Sequence, residues 1–185
     1  MRRAALSAPL LLAVVALVTA CGPASPAAQA PATTAATTTT SAPSVPAPPL
    51  PTADAATVGS CPYLDKVTAE NANGQHVTTA KIVTPAGQSE PTCFFYRPDG
   101  GWQLTVWVYT GSPDVAKAIV NQEAPVATSN PAADPAGWTG GSEATKDGAI
   151  YAVAKGGHAV VAISNQKQTI KTRVITEHVV SKLGW

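Results

Sequence analysis

The sequence has little of what most functional classes require. Of its 185 residues only two are Phe, one is Met and three are Cys, and aromatics make up 5% of the chain. Net charge is +1, and past residue 57 the ten Lys/Arg and ten Asp/Glu balance. A neutral domain offers neither the basic footprint that nucleic acid needs nor a polybasic membrane patch, so no nucleic-acid partner is expected. The longest apolar run, Leu10 to Val18, has nine residues, whereas a spanning helix needs ~20. No catalytic or metal-ligand signature is present. The nearest stretch to a nucleophile elbow, Gly140-Gly141-Ser142-Glu143-Ala144, has the wrong residue after Ser142 plus one and no apolar strand before it. His76, His158 and His178 are scattered in sequence. The paired glycines at 100–101, 140–141 and 156–157 lack a phosphate-loop context and read as turns. No enzyme, cofactor or metal is therefore expected.

The first sixty residues carry more information. Arg2 and Arg3 precede the apolar run, which has the length of a signal-peptide core. Val18-Thr19-Ala20-Cys21 resembles a bacterial lipobox, in which the cysteine receives a diacylglyceryl group. Residues 1–20 are thus expected to be a lipoprotein signal peptide, and Cys21 a lipid anchor on the extracytoplasmic face of the cell membrane. The alternative is an ordinary secretory signal with Cys21 as a spare thiol. Residues 21–57 then form a linker of Ala, Pro, Thr and Ser with one charge, Asp54, and no aromatic residue. Such a composition buries too little apolar surface to offset chain entropy. As a flexible coil it would average ~30–36 Å end to end.

With Cys21 taken by lipid, Cys61 and Cys93 remain as an even pair, and in an exported, oxidising setting a disulfide is expected. Residues 58–185 read as one folded domain. A helix opens at Ser60-Cys61-Pro62 and stops at Asn73-Gly74. Strands follow over 76–83, 93–97 and 102–109, then a helix begun by Ser112-Pro113-Asp114, a long loop over 125–147, strands over 149–154 and 159–164, and a last helix over 165–183. The expected fold is α+β: a mainly antiparallel five-stranded sheet packed by three helices, in the order α-β-β-β-α-β-β-α. The last helix should bury Ile170, Val174, Ile175, Val179 and Leu183.

Along 102–109 strict alternation sets Trp102, Leu104, Val106 and Val108 against Gln103, Thr105, Trp107 and Tyr109. Aromatics thus fall on both faces. Either helices cover both faces and bury the rings, or one face is half covered. In the second case Trp107 and Tyr109, with Trp138 from the 125–147 loop closing over them, line a groove for an apolar ligand or an envelope protein.

Cys61-Pro62-Tyr63-Leu64, the block Cys93-Phe94-Phe95-Tyr96-Arg97-Pro98-Asp99-Gly100, Tyr151 to Gly157 and Asn165 to Lys171 resemble a family of actinobacterial lipoproteins, mycobacterial ones included, classed as a domain of unknown function. The element order is also similar to the PsbP-like α/β/α sandwich of envelope lipoproteins. The resemblance implies a membrane-anchored envelope protein but no activity and no site residues. The functional expectation is a non-enzymatic binding domain for an apolar ligand or another envelope protein. The alternative is a structural or assembly lipoprotein without a small-molecule pocket.

Overall fold

The structure, a computed structural model, describes residues 45–185; the expected signal peptide, Cys21 and the linker as far as residue 44 lie outside them. The helices are α1 (Lys66–Asn73), α2 (Pro113–Glu123) and α3 (Thr169–Leu183). The strands are β1 (Thr57–Val58), β2 (Thr79–Val83), β3 (Thr92–Tyr96), β4 (Trp102–Thr110), β5 (Asn130–Ala132), β6 (Thr139–Ala144), β7 (Ala149–Lys155) and β8 (His158–Ser164). They form one antiparallel sheet in the order β1-β2-β3-β4-β8-β7-β6-β5. The fold is α+β with three helices, but the expected five strands are eight. The three additional strands extend the sheet at its ends, β1 beyond β2 and β6 then β5 beyond β7. β1 is two residues long, too short to leave a periodic signal. β5 and β6 come from the Pro-, Gly- and Ser-containing stretch read as loop, whose residues have little intrinsic strand preference. Pairing with β7 from Thr139↔Ala154 to Ala144↔Ala149 holds β6 in the sheet.

Helix starts also differ from the sequence reading. α1 begins at Lys66 rather than Pro62. Asp65 is its cap, accepting a hydrogen bond from the Thr68 N–H at 2.9 Å; this bond and one from the Thr68 hydroxyl hold the carboxyl below its ordinary value. Residues 60–64 are instead pinned as an irregular segment. Cys61 is joined to Cys93 by a disulfide with the Cα atoms 5.8 Å apart. The buried Tyr63 hydroxyl reaches Pro91 O at 2.5 Å and Val106 O at 3.1 Å, and burial raises its pKa well above the usual value. α3 begins at Thr169 and buries Thr172, Ile175, Thr176, Val179 and Val180. Ile170 and Val174, expected inside, are 49% and 42% exposed. The two threonines can be buried because their hydroxyls bond back to Thr169 O and Thr172 O, at 2.9 Å each.

The sheet is covered on both faces. On one, Leu104, Val106 and Val108 of β4 and Tyr151, Val153, Val160 and Ala162 pack with Tyr63, Leu64, Ile175 and Val179 from the α1–α3 side. On the other, Trp107, Tyr109, Ala152, Ala154, Ala159 and Val161 pack with Ala116, Ile119 and Val120 of α2.

Alternation along β4 is broken once. Phe95 pairs with Leu104 and Tyr96 with Trp102, so Gln103 is an extra residue, a β-bulge. Trp102 therefore shares a face with Thr105, to which its indole N–H donates at 2.8 Å, not with Leu104 as strict alternation requires. Gln103 turns toward α1, where its side chain meets Asn73 at 3.0 Å and His76 O at 3.0 Å. Ser164 Oγ completes the buried set by donating to Asn73 Oδ1 at 2.5 Å.

Candidate functional site

The aromatic residues expected to form a groove do not converge on one. Trp107 is 2% and Tyr109 9% exposed, both in the core beneath α2. Four small residues of β7 and β8 (Ala152, Ala154, Ala159, Val161) let α2 close down on that face, and the Tyr109 hydroxyl accepts from the Ser112 N–H at the helix start at 3.2 Å. Trp138 does not lie over them. It is 1% exposed and belongs to the opposite, α1–α3 face, stacked on Trp185 with centroids 6.2 Å apart. Trp185 stacks in turn on His158 at 4.1 Å. The cause is β6: once the chain enters the sheet at Thr139, the preceding tryptophan is carried under its edge.

The surface at α2 is instead a cleft of about 340 Å³ between the helix and the β5–β6 edge. Val120, Val126, Ala132, Ala133, Gly140 and Ala154 line it, with Lys117 as its one charged residue. Gly140 and Gly141, read from sequence as turn residues, lie inside β6. A Cβ on Gly141 would stand 2.5 Å from Ala124 O, so glycine there lets the end of α2 settle onto the strand. A second cleft, about 390 Å³, lies at the β1–β2 edge between Ser60, Asp65, Lys66 and Thr79, over Leu64 and Phe95. It is more polar, and Lys66 Nζ spans part of it to donate to Thr78 O at 3.1 Å.

Residues 45–56, assigned from sequence to the linker, contact the domain. Ala47 and Leu50 pack against the α2-side core along with Ile150 and Ile163. The 3₁₀ turn Ala53–Ala55 packs on β2. Between these two points the chain crosses the half of the face that α2 leaves bare. By register that half carries Phe94, Thr105, Ile163 and Ile150 in one row and Tyr96 with Trp102 in the next. Tyr96 is part buried, which raises its pKa, with a smaller contribution from the nearby Asp54 carboxylate. Lys81 lies 5.2 Å from the centre of the Tyr96 ring.

Hydrolytic geometry is not assembled at the residues considered from sequence. Ser142 sits mid-strand, donating to Asn130 O at 3.5 Å. His76 pairs with Glu70 at 2.7 Å on the surface, and His158 is stacked on Trp185. No group of three His, Cys, Asp or Glu side chains among the described residues could hold a metal ion.

Residues 43–185 match the family described as a domain of unknown function, DUF2020. The chain belongs to the DUF2020 family. The matched region opens two residues before the described chain and takes in the proline-rich crossing, so the segment is part of the DUF2020 domain. No curated protein is found to match the chain.

Proposed function

We propose that this DUF2020 protein is an actinobacterial cell-envelope lipoprotein, anchored through Cys21 on the extracytoplasmic face of the membrane, whose domain binds an apolar ligand without catalysis. The observation that carries the reading is the cleft beside α2. Its ~340 Å³ and its aliphatic lining of Val120, Val126, Ala132 and Ala154 suit a small apolar molecule or part of an acyl chain. Lys117 at the same cleft favours a ligand with one acidic end. The Cys61–Cys93 disulfide fits an exported, oxidising setting, and the Val18-to-Cys21 motif supports the anchor.

Two experiments test this reading. Cys21→Ala protein should leave the membrane fraction, since two acyl chains anchor stably and their loss removes the attachment. Retention after a salt wash overturns the anchor. Ala133→Trp places a ring in the cleft from an exposed position and should abolish binding of the fluorescent probe N-phenyl-1-naphthylamine. Equal probe binding by both proteins, or none by either, refutes the cleft.

A role in assembly is favoured by a different feature. Val67 of α1 and Ile170 and Val174 of α3 are 67%, 49% and 42% exposed, beside a groove between the two helices lined by Ala72, Val174 and His178. An envelope protein would dock there, and Val67→Asp with Val174→Asp would release it from native co-purification.

A further inference from the structure

The segment that crosses the open half of the α2-side face has an unusual regularity. Four of the eight residues from Val45 to Thr52 are proline, and the stretch has no helix or strand. Proline fixes φ near −65°, so such a run is pre-set as an extended polyproline II helix with three residues per turn. The burial follows that period. From Pro46 to Thr52, Pro46, Pro49 and Thr52 are exposed, while Ala47-Pro48 and Leu50-Pro51 are half-buried; exposed Val45 and the Ala53–Ala55 turn bound the repeat. Two apolar–proline dipeptides thus face the sheet three residues apart, and the residue between them faces solvent.

This is the physical form in which proline-rich ligands dock on aromatic surfaces: a preformed helix loses little entropy, and its apolar–Pro pairs lie against rings. The surface beneath has the matching composition. Phe94, Tyr96 and Trp102 share this half of the face, flanked by Ile150 and Ile163. Six residues of polyproline II span ~19 Å, enough to cross from β8 to β2 at ~4.8 Å per strand. At the β2 end, Lys81 lies 5.2 Å from the centre of the Tyr96 ring, and the Asp54 carboxylate, three residues beyond Pro51, lies near the same tyrosine.

We propose that this half-face is a polyproline-II recognition surface, that residues 46–51 occupy it in cis, and that in trans it takes an extended proline-rich peptide with two apolar–Pro dipeptides three residues apart. The covalently attached strap competes at an effective concentration of order millimolar. A free peptide therefore binds well only when the strap is weakened.

The probe is a fluorescein-labelled peptide of residues 44–56, titrated against full-chain protein in detergent. Wild type should bind it about tenfold or more weakly than a Leu50→Asp variant, and a peptide carrying Leu50→Ser should bind neither. A Pro48→Ala, Pro51→Ala double variant keeps the β-carbons while loosening the strap, and it should fall between the two. It also serves if Leu50→Asp does not fold. A wild-type dimer that forms on concentration and dissolves with excess peptide would support the surface and identify the strap of a second copy as the trans occupant. If neither weakened variant binds the peptide more tightly than wild type while at least one is folded, the segment is ordinary chain packing and the proposal fails. Loss of folding in both variants also overturns it, because the strap would then be core rather than ligand. Neither outcome bears on the cleft beside α2, which the naphthylamine probe reads separately.

Discussion

The two faces of the sheet are closed by different means. The α1–α3 face is filled by large aliphatic and aromatic side chains, including Phe95, Leu104, Val106 and Val160, each fully buried. It is cross-linked by the Cys61–Cys93 disulfide and by Tyr63, and it is locked by the Asn73–Gln103–Ser164 hydrogen bonds. The α2 face is closed by an eleven-residue helix set on alanines and by a proline-rich segment without helix or strand. One face is specified by volume, covalent closure and satisfied polar groups together. The other depends on a short helix and on Ala47 and Leu50 of the proline-rich segment, and the more apolar of the two clefts lies beside that helix. Aromatic content alone does not mark a binding face; what covers the rings does.

The contrast is most sharply broken at Phe95. Phe95→Ala should cost ~3–5 kcal/mol, read as the shift in urea midpoint, and a loss below ~2 kcal/mol would mean that the α1–α3 face is not the stabilising one. Next comes the disulfide, with a sequence separation of 32. Loop-closure entropy gives ~3–4 kcal/mol. The Cys61→Ala, Cys93→Ala double variant should lose that much, and wild type under reducing conditions should match it.

A smaller effect is expected at the α1 cap. Asp65→Ala should cost ~1 kcal/mol. Asp65 has a folded pKa below its ordinary 3.8, so its contribution is complete above that value and disappears as pH falls through the lowered folded one. A cap variant should thus differ from wild type at pH 6 and converge with it in strong acid; a constant difference across that range contradicts the assignment. The smallest effect belongs to the α2 face. The Trp107 indole N–H is buried without a hydrogen-bond partner, a state that costs ~1–3 kcal/mol. Trp107→Phe removes that donor along with part of the ring, and calorimetry should show a change within about 1 kcal/mol. A loss as large as that of Phe95→Ala would make the two faces equivalent.

Much of the chain was legible one element at a time. The three helices, the hairpin of β3 and β4, and that of β7 and β8 follow from periodicity and turn residues, because those signals are local. Helix starts were less so. Pro62 fits a first turn, but the disulfide and Tyr63 hold residues 61–63 out of helical conformation, and the cap passes to Asp65. Alternation misplaced Trp102 and Gln103 because one inserted residue reverses the facing of everything before it, and a bulge leaves no mark in composition. The cleft beside α2 was not legible: the aromatic strand expected to form a site is core, and the stretch that supplies Ala132, Ala133, Thr139 and Gly140 reads as loop. No pattern within 102–109 states whether a helix outside it will cover either face.

By itself the sequence determined the pairing of Cys61 with Cys93, the α+β class and the order of its long elements. These rest on local chemistry: cysteine parity, caps and side-chain period. Only the tertiary structure decided that the sheet has eight strands, that Trp107 and Tyr109 are core while Trp138 belongs to the opposite face, and that the proline-rich segment from residue 45 onward lies on the domain. Short edge strands, the cover over a ring and the landing place of a polyproline segment are set by partners distant in sequence. Their free energies arise only when those partners meet.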